Sequence, residues 1–292
     1  MPPRDAQSPV EETAERYPPS DLEQWGIVAI SQIRHYLRTY RFLGLVAFVG
    51  VVSALWLSLT LATSVGLLRF SYLNSISEFL TDYVASSPLW VVLAAAFFGG
   101  DALSIDFHSG AGYYTLVLPV KRGVLLAGRY ASALAVTLVV VFAYDLFGLI
   151  GATYTFGAPA LPWGSLWLSF GLTILFAFAA LSVAFCFSAI FENPAAGVLL
   201  TVLVLFVALS TISDVVQTAG FEPWWSLYYA GGAIPNVLDW QFVAVQTIPI
   251  GGGLSETAWS ATAAEGAEIM LAYIAVFFSL SVYLYHRKES KG

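Results

Sequence analysis

The stretch FLGLVAFVGVVSALWLSLTLATSVGLL, residues Phe42–Leu68, contains no charged residue. A helix needs about 20 predominantly apolar residues to cross the hydrocarbon core of a bilayer, and this stretch is longer than that. Five further stretches are long and apolar, and we predict a helical span in each: Tyr83–Gly100, Tyr130–Phe156, Pro162–Phe191, Pro194–Ser213 and Ile269–Tyr285. Of these, only Tyr130–Phe156 contains a charged residue, Asp145. The sequence therefore predicts an all-α integral membrane protein with six transmembrane helices.

The overall composition supports the same fold class. Of the 292 residues, 58% are hydrophobic and only 11% are charged, whereas about 25% of the residues of an ordinary soluble domain are charged. So few charges cannot cover a surface that faces water. Lipid is therefore the main solvent that we expect around this chain.

The distribution of Lys and Arg predicts the orientation in the membrane, because loops on the cytoplasmic side carry an excess of these residues. With six spans and the amino terminus inside, only Arg69 of the twelve basic residues falls outside. The inner segments hold the other basic residues: Arg4, Arg16, Arg34, Arg38, Arg41, Lys121, Arg122, Arg129, Arg287, Lys288 and Lys291. We therefore predict a multi-pass protein of the cell membrane with both termini in the cytoplasm.

A helix is also predicted before the first span, at Leu22–Arg41. At helical spacing one side is apolar, with Leu22, Trp25, Ala29, Ile33, Tyr36, Leu37 and Tyr40, and another side is polar and basic, with Ser31, Arg34, His35, Arg38 and Arg41. Such a helix lies in the membrane interface with its apolar side in lipid and its basic side at the headgroups. Packing on a soluble partner is the alternative reading.

The organisation predicted along the chain has four parts. Residues 1–21 form an acidic cytoplasmic tail, residues 22–41 the interfacial helix, residues 42–285 the membrane domain, and residues 286–292 a second short tail. Within the membrane domain, an inner loop covers about residues 106–122 and an external segment about residues 214–265. That segment is rich in Trp and Tyr, which favours an interfacial cap or short re-entrant helices.

Sequence signals for catalysis, metal or ATP binding are poor. The histidines His35, His108 and His286 lie in different segments without ligand spacing, and no Walker motif occurs. We therefore predict no catalytic residues, no metal site, no cofactor and no ATPase site in this chain, and no nucleic-acid partner. The tripeptide Asn193-Pro194-Ala195 occurs once, so the paired half-helices of an aquaporin pore are not expected. We interpret Asn193 as the cap of the fifth span.

Asp145 is the ionisable residue that lies deepest inside a predicted span. A carboxyl group at that depth is costly and usually faces a cavity, a partner helix or a substrate path. Two readings stay open: a protonated side chain hydrogen-bonded within the bundle, or a residue on the translocation path.

The stretch DFHSGAGYYTLVLPVKRGVLLAGRYA, residues Asp106–Ala131, lies between the second and third spans on the inner side. It contains an apolar turn, Tyr113–Leu118, which Pro119 ends and the basic pair Lys121-Arg122 follows. Apolar groups that face the cytosol need a partner to escape water. A short apolar helical turn in this position therefore predicts docking into a groove of another protein.

This stretch resembles the inner loop of the type-two ABC transporter permease family. Members of that family carry an acid, then Gly-Thr, a Leu-rich turn, Pro, a small residue and Arg, and then Gly and a basic residue at the opening of the third helix. Similar places are occupied here by Asp106, Gly112, Thr115, Leu116, Leu118, Pro119, Val120, Arg122, Gly128 and Arg129. Two departures occur: Tyr113 and Tyr114 separate the Gly-Thr pair, and Lys121 replaces a small hydroxyl residue.

The resemblance implies a transmembrane permease subunit without its own ATPase site, and export is the commoner direction in the family. It implies two copies of a cytoplasmic ATP-binding subunit, which hold ATP and Mg, and a second permease as homo- or heterodimer. It also implies an ATPase-coupling turn formed by Gly112, Tyr113, Tyr114, Thr115, Leu116, Leu118, Pro119, Lys121 and Arg122. A channel or secondary carrier, and an intramembrane enzyme, are the alternative functions.

Overall fold

The computed structural model describes residues 20–64, 75–105, 121–251 and 254–289. Six helices within these ranges are long and apolar enough to cross a membrane. In chain order, their apolar spans are Tyr40–Leu59, Ile76–Gly99, Arg122–Phe156, Trp163–Ile190, Pro194–Thr218 and Ala263–Arg287. The predicted six-span fold is confirmed, and the helix predicted before the first span is present as α1 (Asp21–Arg38).

An even number of spans places α1 and the end of the sixth span at the same end of the bundle. We call this the terminal end, and the opposite end the distal end. The third span is 35 residues long, or about 52 Å at 1.5 Å per residue, whereas the hydrocarbon core is about 30 Å thick. Its first turns, from Arg122, therefore extend beyond the bilayer at the terminal end, where the sequence predicted a start only at Tyr130.

The second span is built from two helices, α3 (Ile76–Val84) and α4 (Ser87–Gly99), which are separated at Ala85-Ser86. Ser75 caps the first of them, because its hydroxyl accepts a hydrogen bond from the Glu78 backbone N–H. Pro88 lies in the first turn of the second helix, where its missing N–H has no cost. The sequence predicted neither the interruption nor the start at Ile76.

The fifth span begins as predicted from the Asn-Pro pair. Asn193 Oδ1 accepts a hydrogen bond of 3.0 Å from the Ala195 backbone N–H, and Pro194 takes the first helical position. The fifth and sixth spans each contain one π-helical stretch, Leu203–Ala208 and Ile274–Phe278. These wider turns lie near the middle of their spans.

The fourth span, Trp163–Ile190, lies at the centre of the bundle. Its most apolar window is 67% buried, compared with 17% for the first and fifth spans and 11% for the sixth. Its inward side is rich in small residues, Ala177, Ala179, Ala180 and Ala184, which are all fully buried. The first, fifth and sixth spans therefore form the flanks of the bundle that are exposed to lipid.

Beyond the fifth span, the chain folds onto the distal end of the bundle. It forms two short helices, Leu227–Gly231 and Ala233–Asn236, and an antiparallel hairpin of β1 (Val245–Gly251) and β2 (Leu254–Trp259). Ser169 Oγ of the fourth span donates to the Ile234 carbonyl at 2.9 Å. This segment is therefore packed into the bundle, and the hairpin was not predicted from the sequence.

The second and fifth spans approach so closely that only glycine fits at their crossing. A Cβ added at Gly197 would lie 2.1 Å from the Gly100 carbonyl oxygen. We therefore expect Gly197→Ala to lower the stability of the purified protein by about 1–3 kcal/mol, since the backbone has to move. Thermal unfolding in detergent measures this effect.

Gly171→Ala in the fourth span provides the matched control, because a Cβ there meets nothing within 4 Å. The control is expected to unfold at the wild-type temperature or slightly above it, since alanine is the better helix former. Equal unfolding temperatures of both variants would contradict the close crossing.

Candidate functional site

The predicted coupling turn lies largely outside the described residues. The positions Gly112 to Pro119 belong to that part, while Lys121 and Arg122 begin the third span. Of the loop between the second and third spans, the structure therefore describes the two ends. We call these the first root, Asp101–Ile105, and the second root, Lys121-Arg122.

Helix α1 begins with a capping box. The Ser20 hydroxyl accepts from the Glu23 backbone N–H, and the Glu23 carboxylate accepts from the Ser20 backbone N–H at 2.8 Å. The helix ends at Arg38, because Thr39 adopts an extended backbone conformation. The first span follows at once from Tyr40. Arg41, predicted on the basic side of α1, therefore belongs to the first span.

Helix α1 packs lengthwise on the start of the third span. The closest approach is at Gly128, where an added Cβ would lie 2.8 Å from the Val28 side chain. Ala29 is buried, and Ile33 and Tyr36 pack against the hydrophobic core. The prediction that these three side chains face lipid is wrong, because the bundle itself covers them. The large apolar residues of this helix that are exposed are Leu22, Trp25, Ile27, Ile30 and Leu37, so three members of the predicted apolar side do remain exposed.

Side chains from α1 and the first span hold the first root. The Tyr36 hydroxyl donates a hydrogen bond of 3.0 Å to the Phe98 carbonyl, and the Arg41 guanidinium forms an ion pair with the Asp101 carboxylate. Burial raises the pKa of the Asp101 carboxyl, and the hydrogen bond and charge of Arg41 oppose that rise. The ion pair therefore stabilises the charged form of a carboxyl group that is only 5% exposed.

The third and fourth spans hold the first root from the other side. Arg129 Nη1 donates a hydrogen bond of 2.9 Å to the Ala102 carbonyl. Ser188 Oγ accepts the backbone N–H groups of Leu103 and Ser104 at 2.9 and 3.1 Å. These bonds satisfy buried backbone groups of the turn that follows the helix, which would otherwise lack partners.

The second root is attached to the start of α1. Lys121 Nζ lies 2.5 Å from Asp21 Oδ2, and both side chains are more than half exposed. Helix α1 therefore reaches both ends of the inner loop, with Asp21 at one end of the helix and Tyr36 near the other. The two roots, α1 and the start of the third span form one connected unit, which we call the inner-face assembly.

Asp145 faces the interior of the bundle and is only 5% exposed. It lies beside Ser87, the first residue after the interruption of the second span. Asp145 Oδ1 has no hydrogen-bond partner among the described residues. The neighbouring Tyr144 and Tyr83 stack at 4.4 Å, and each hydroxyl donates to the backbone carbonyl of the other residue. The carboxyl group is thus enclosed by protein, and its role in translocation stays a prediction.

Sequence reasoning missed the connections around Asp101. Asp101 follows directly after the predicted second span, and no partner for it was predicted. The available signal was the depth of the charges: Arg41, Asp101 and Arg129 all lie at the terminal ends of their spans. Which of these ends are neighbours depends on helix packing, which the spacing of one sequence does not reveal.

Comparison with known proteins identifies the family. Residues 67–230 match the family model described as ABC-2 family transporter protein. The chain belongs to the ABC-2 transporter family. No curated protein matches the chain.

The match with the ABC-2 family covers the second to fifth spans, both roots of the inner loop and Asp145. The protein is therefore a multi-pass membrane permease of an ABC transporter, as the resemblance of its inner loop implied. The family also implies association with an ATP-binding subunit.

The inner-face assembly predicts unequal strengths for its two ion pairs. The Asp101 side chain is buried, whereas both members of the Lys121–Asp21 pair are exposed. We expect double-mutant cycles with Arg41→Met and Asp101→Asn to give a coupling energy of about 1–3 kcal/mol. The matched cycle with Lys121→Met and Asp21→Asn is expected to give less than about 1 kcal/mol, since water screens exposed pairs.

Thermal unfolding of the single and double variants in one detergent provides both coupling energies. If the Lys121–Asp21 coupling equals or exceeds the Arg41–Asp101 coupling, the first root is not the stronger attachment.

Proposed function

We propose that this chain is the permease of an ATP-driven exporter in the cell membrane, with its terminal end in the cytoplasm. In this proposal, separate ATP-binding subunits dock on the loop between the second and third spans. Membership of the ABC-2 family favours this function over a channel, a secondary carrier or an intramembrane enzyme. The observation that carries the proposal is that α1 reaches both sides of the loop. Asp21 pairs with Lys121 of the second root, and Tyr36 bonds the helical turn that leads into the first root.

A docking loop can transmit movement only if its ends are mechanically connected to the spans. At the first root, the contacts of Arg41, Ser188 and Arg129 connect the loop to the first, fourth and third spans. At the second root, the loop continues directly into the helix of the third span. A displacement of the loop by an ATP-binding subunit would therefore move α1 and the adjoining spans together.

The remaining features of the proposal come from the family resemblance and from the charges. Two ATP-binding subunits would hold ATP and Mg, and this chain would supply no catalytic residue. The weakly buried first and fifth spans offer apolar flanks for lipid or for a second permease. The described terminal end carries the basic residues Arg34, Arg38 and Lys121, as expected for a cytoplasmic face. Export is the direction that we infer from the resemblance.

The docking proposal predicts the effect of inner-loop substitutions. Loss of a buried aromatic anchor from a protein interface typically costs about 2 kcal/mol or more, which weakens binding roughly thirtyfold. We therefore expect Tyr114→Ala and Leu116→Asp to release the ATP-binding subunit during copurification. The permease itself should still fold, because both substitutions lie in the loop between the second and third spans.

Trp240→Ala provides the control at the distal end, since the Trp240 side chain is 73% exposed there. This variant should retain the ATP-binding subunit. The thermal unfolding temperature of the isolated permease shows whether each variant is folded. An ATP-binding subunit that stays bound to both inner-loop variants would refute the docking role of this turn.

A further inference from the structure

The distal end contains a cavity of about 440 Å³ that the proposed coupling does not use. Its walls come from the interruption of the second span, the fourth and fifth spans, the two short helices and the end of β2. Backbone that leaves the helical conformation at membrane depth is tolerated where it lines a cavity or is buried in protein. The interruption at Ala85-Ser86 has such a position, because both residues line this cavity.

Aromatic rings supply the large side chains of the lining. Five of the lining residues are aromatic: Phe176, Phe206, Tyr228, Tyr229 and Trp259. None of the described residues that line the cavity is charged. Rings of this kind attract a cation through the negative charge on their faces, and the attraction is strongest where water is excluded.

The rim of the cavity is acidic. The Tyr229 hydroxyl donates a hydrogen bond of 2.9 Å to Glu222 Oε1. Burial, the hydrogen bond to Glu222 and the charges of Glu222 and Glu265 raise the pKa of Tyr229. Lys and Arg are absent from the described part of the distal end, so no basic side chain there opposes these carboxylates.

Trp259, at the end of β2, also lines the cavity. Indole gives the strongest cation–π attraction of the aromatic side chains. Its ring is therefore the lining group that we expect to contribute most to binding of a cation.

We propose that this cavity binds a lipophilic organic cation, with its apolar body between the aromatic rings and its charge near the Glu222 rim. An anion of the same size would meet only carboxylates there, and an uncharged molecule would not use the rim. Insofar as the occupant is the molecule that the transporter moves, the proposal rests on the proposed function. In that case the transported substrates are amphipathic cations.

Two ions of nearly equal shape and opposite charge test the assignment. The full chain is reconstituted in lipid nanodiscs, and binding of tetraphenylphosphonium and of tetraphenylborate is measured by equilibrium dialysis. Binding to nanodiscs without protein is subtracted. We expect saturable binding of the phosphonium cation and no excess binding of the borate anion. Equal binding of both ions, or no binding of the cation, overturns the proposal.

Substitutions locate the bound cation. Ala85 is exposed at the interruption and lines the cavity, so Ala85→Phe should fill the space and abolish binding of the cation. Ala264→Phe is the matched control, because Ala264 is also exposed at the distal end and does not line the cavity. Cation binding that Ala85→Phe leaves unchanged overturns the assignment of the site.

Two further variants separate the contributions of ring and rim. Trp259→Leu should weaken binding on the order of tenfold, through the lost cation–π contact. Glu222→Gln should weaken it by about two- to fivefold, since the carboxylate is partly screened by water. Because no ATP-binding subunit is present in this assay, a failure overturns the ligand class alone. The docking of the ATP-binding subunit is tested separately by copurification.

Discussion

The structure depends on how the second span ends at the terminal side of the bilayer. A helix that ends near hydrocarbon leaves backbone groups that water cannot reach, and these must find partners within the protein. Here Tyr36 from α1 bonds a carbonyl of the last helical turn. Arg129 from the third span and Ser188 from the fourth bond the backbone of the first root, which follows directly. The requirement to satisfy one helix end therefore fixes which helices surround the root of the inner loop.

This arrangement divides the molecule into two ends of different character. At the terminal end, ion pairs and hydrogen bonds connect the inner loop to α1 and the bundle. At the distal end, the interruption of the second span lies between Asp145 and an aromatic cavity. The π-helical stretches of the fifth and sixth spans lie between these ends. A permease needs both features. The loop that receives the movement must be held firmly, and the spans around a substrate must be able to rearrange.

The sequence predicted the features that follow from the apolar solvent alone, namely the number and the approximate places of the spans. Six apolar stretches had to become six spans, and Asn193-Pro194 carries a local start signal that needs no tertiary information. Contacts between residues that are distant in sequence could not be predicted in this way. Arg41 pairs with a residue 60 positions away, and α1 turns Ala29 and Ile33 toward protein. The interruption at Ala85-Ser86 was missed because the span was predicted from hydropathy, which does not detect a change of helix direction. The local signal for a new helix start was Ser86-Ser87-Pro88. The role of Asp145 likewise depends on its neighbours.

The central claim is that α1 and the start of the third span move as one body when the loop is displaced. The Cβ of Val28 lies 3.0 Å from the position of an added Cβ at Gly128, so Val28→Cys with Gly128→Cys allows a disulfide after a small shift. The most direct measurement is ATP hydrolysis by the assembled transporter in liposomes, before and after oxidation of this pair. The account predicts equal rates. A rate that falls on oxidation and returns with reductant would show that α1 separates from the third span during the cycle, and would contradict the account.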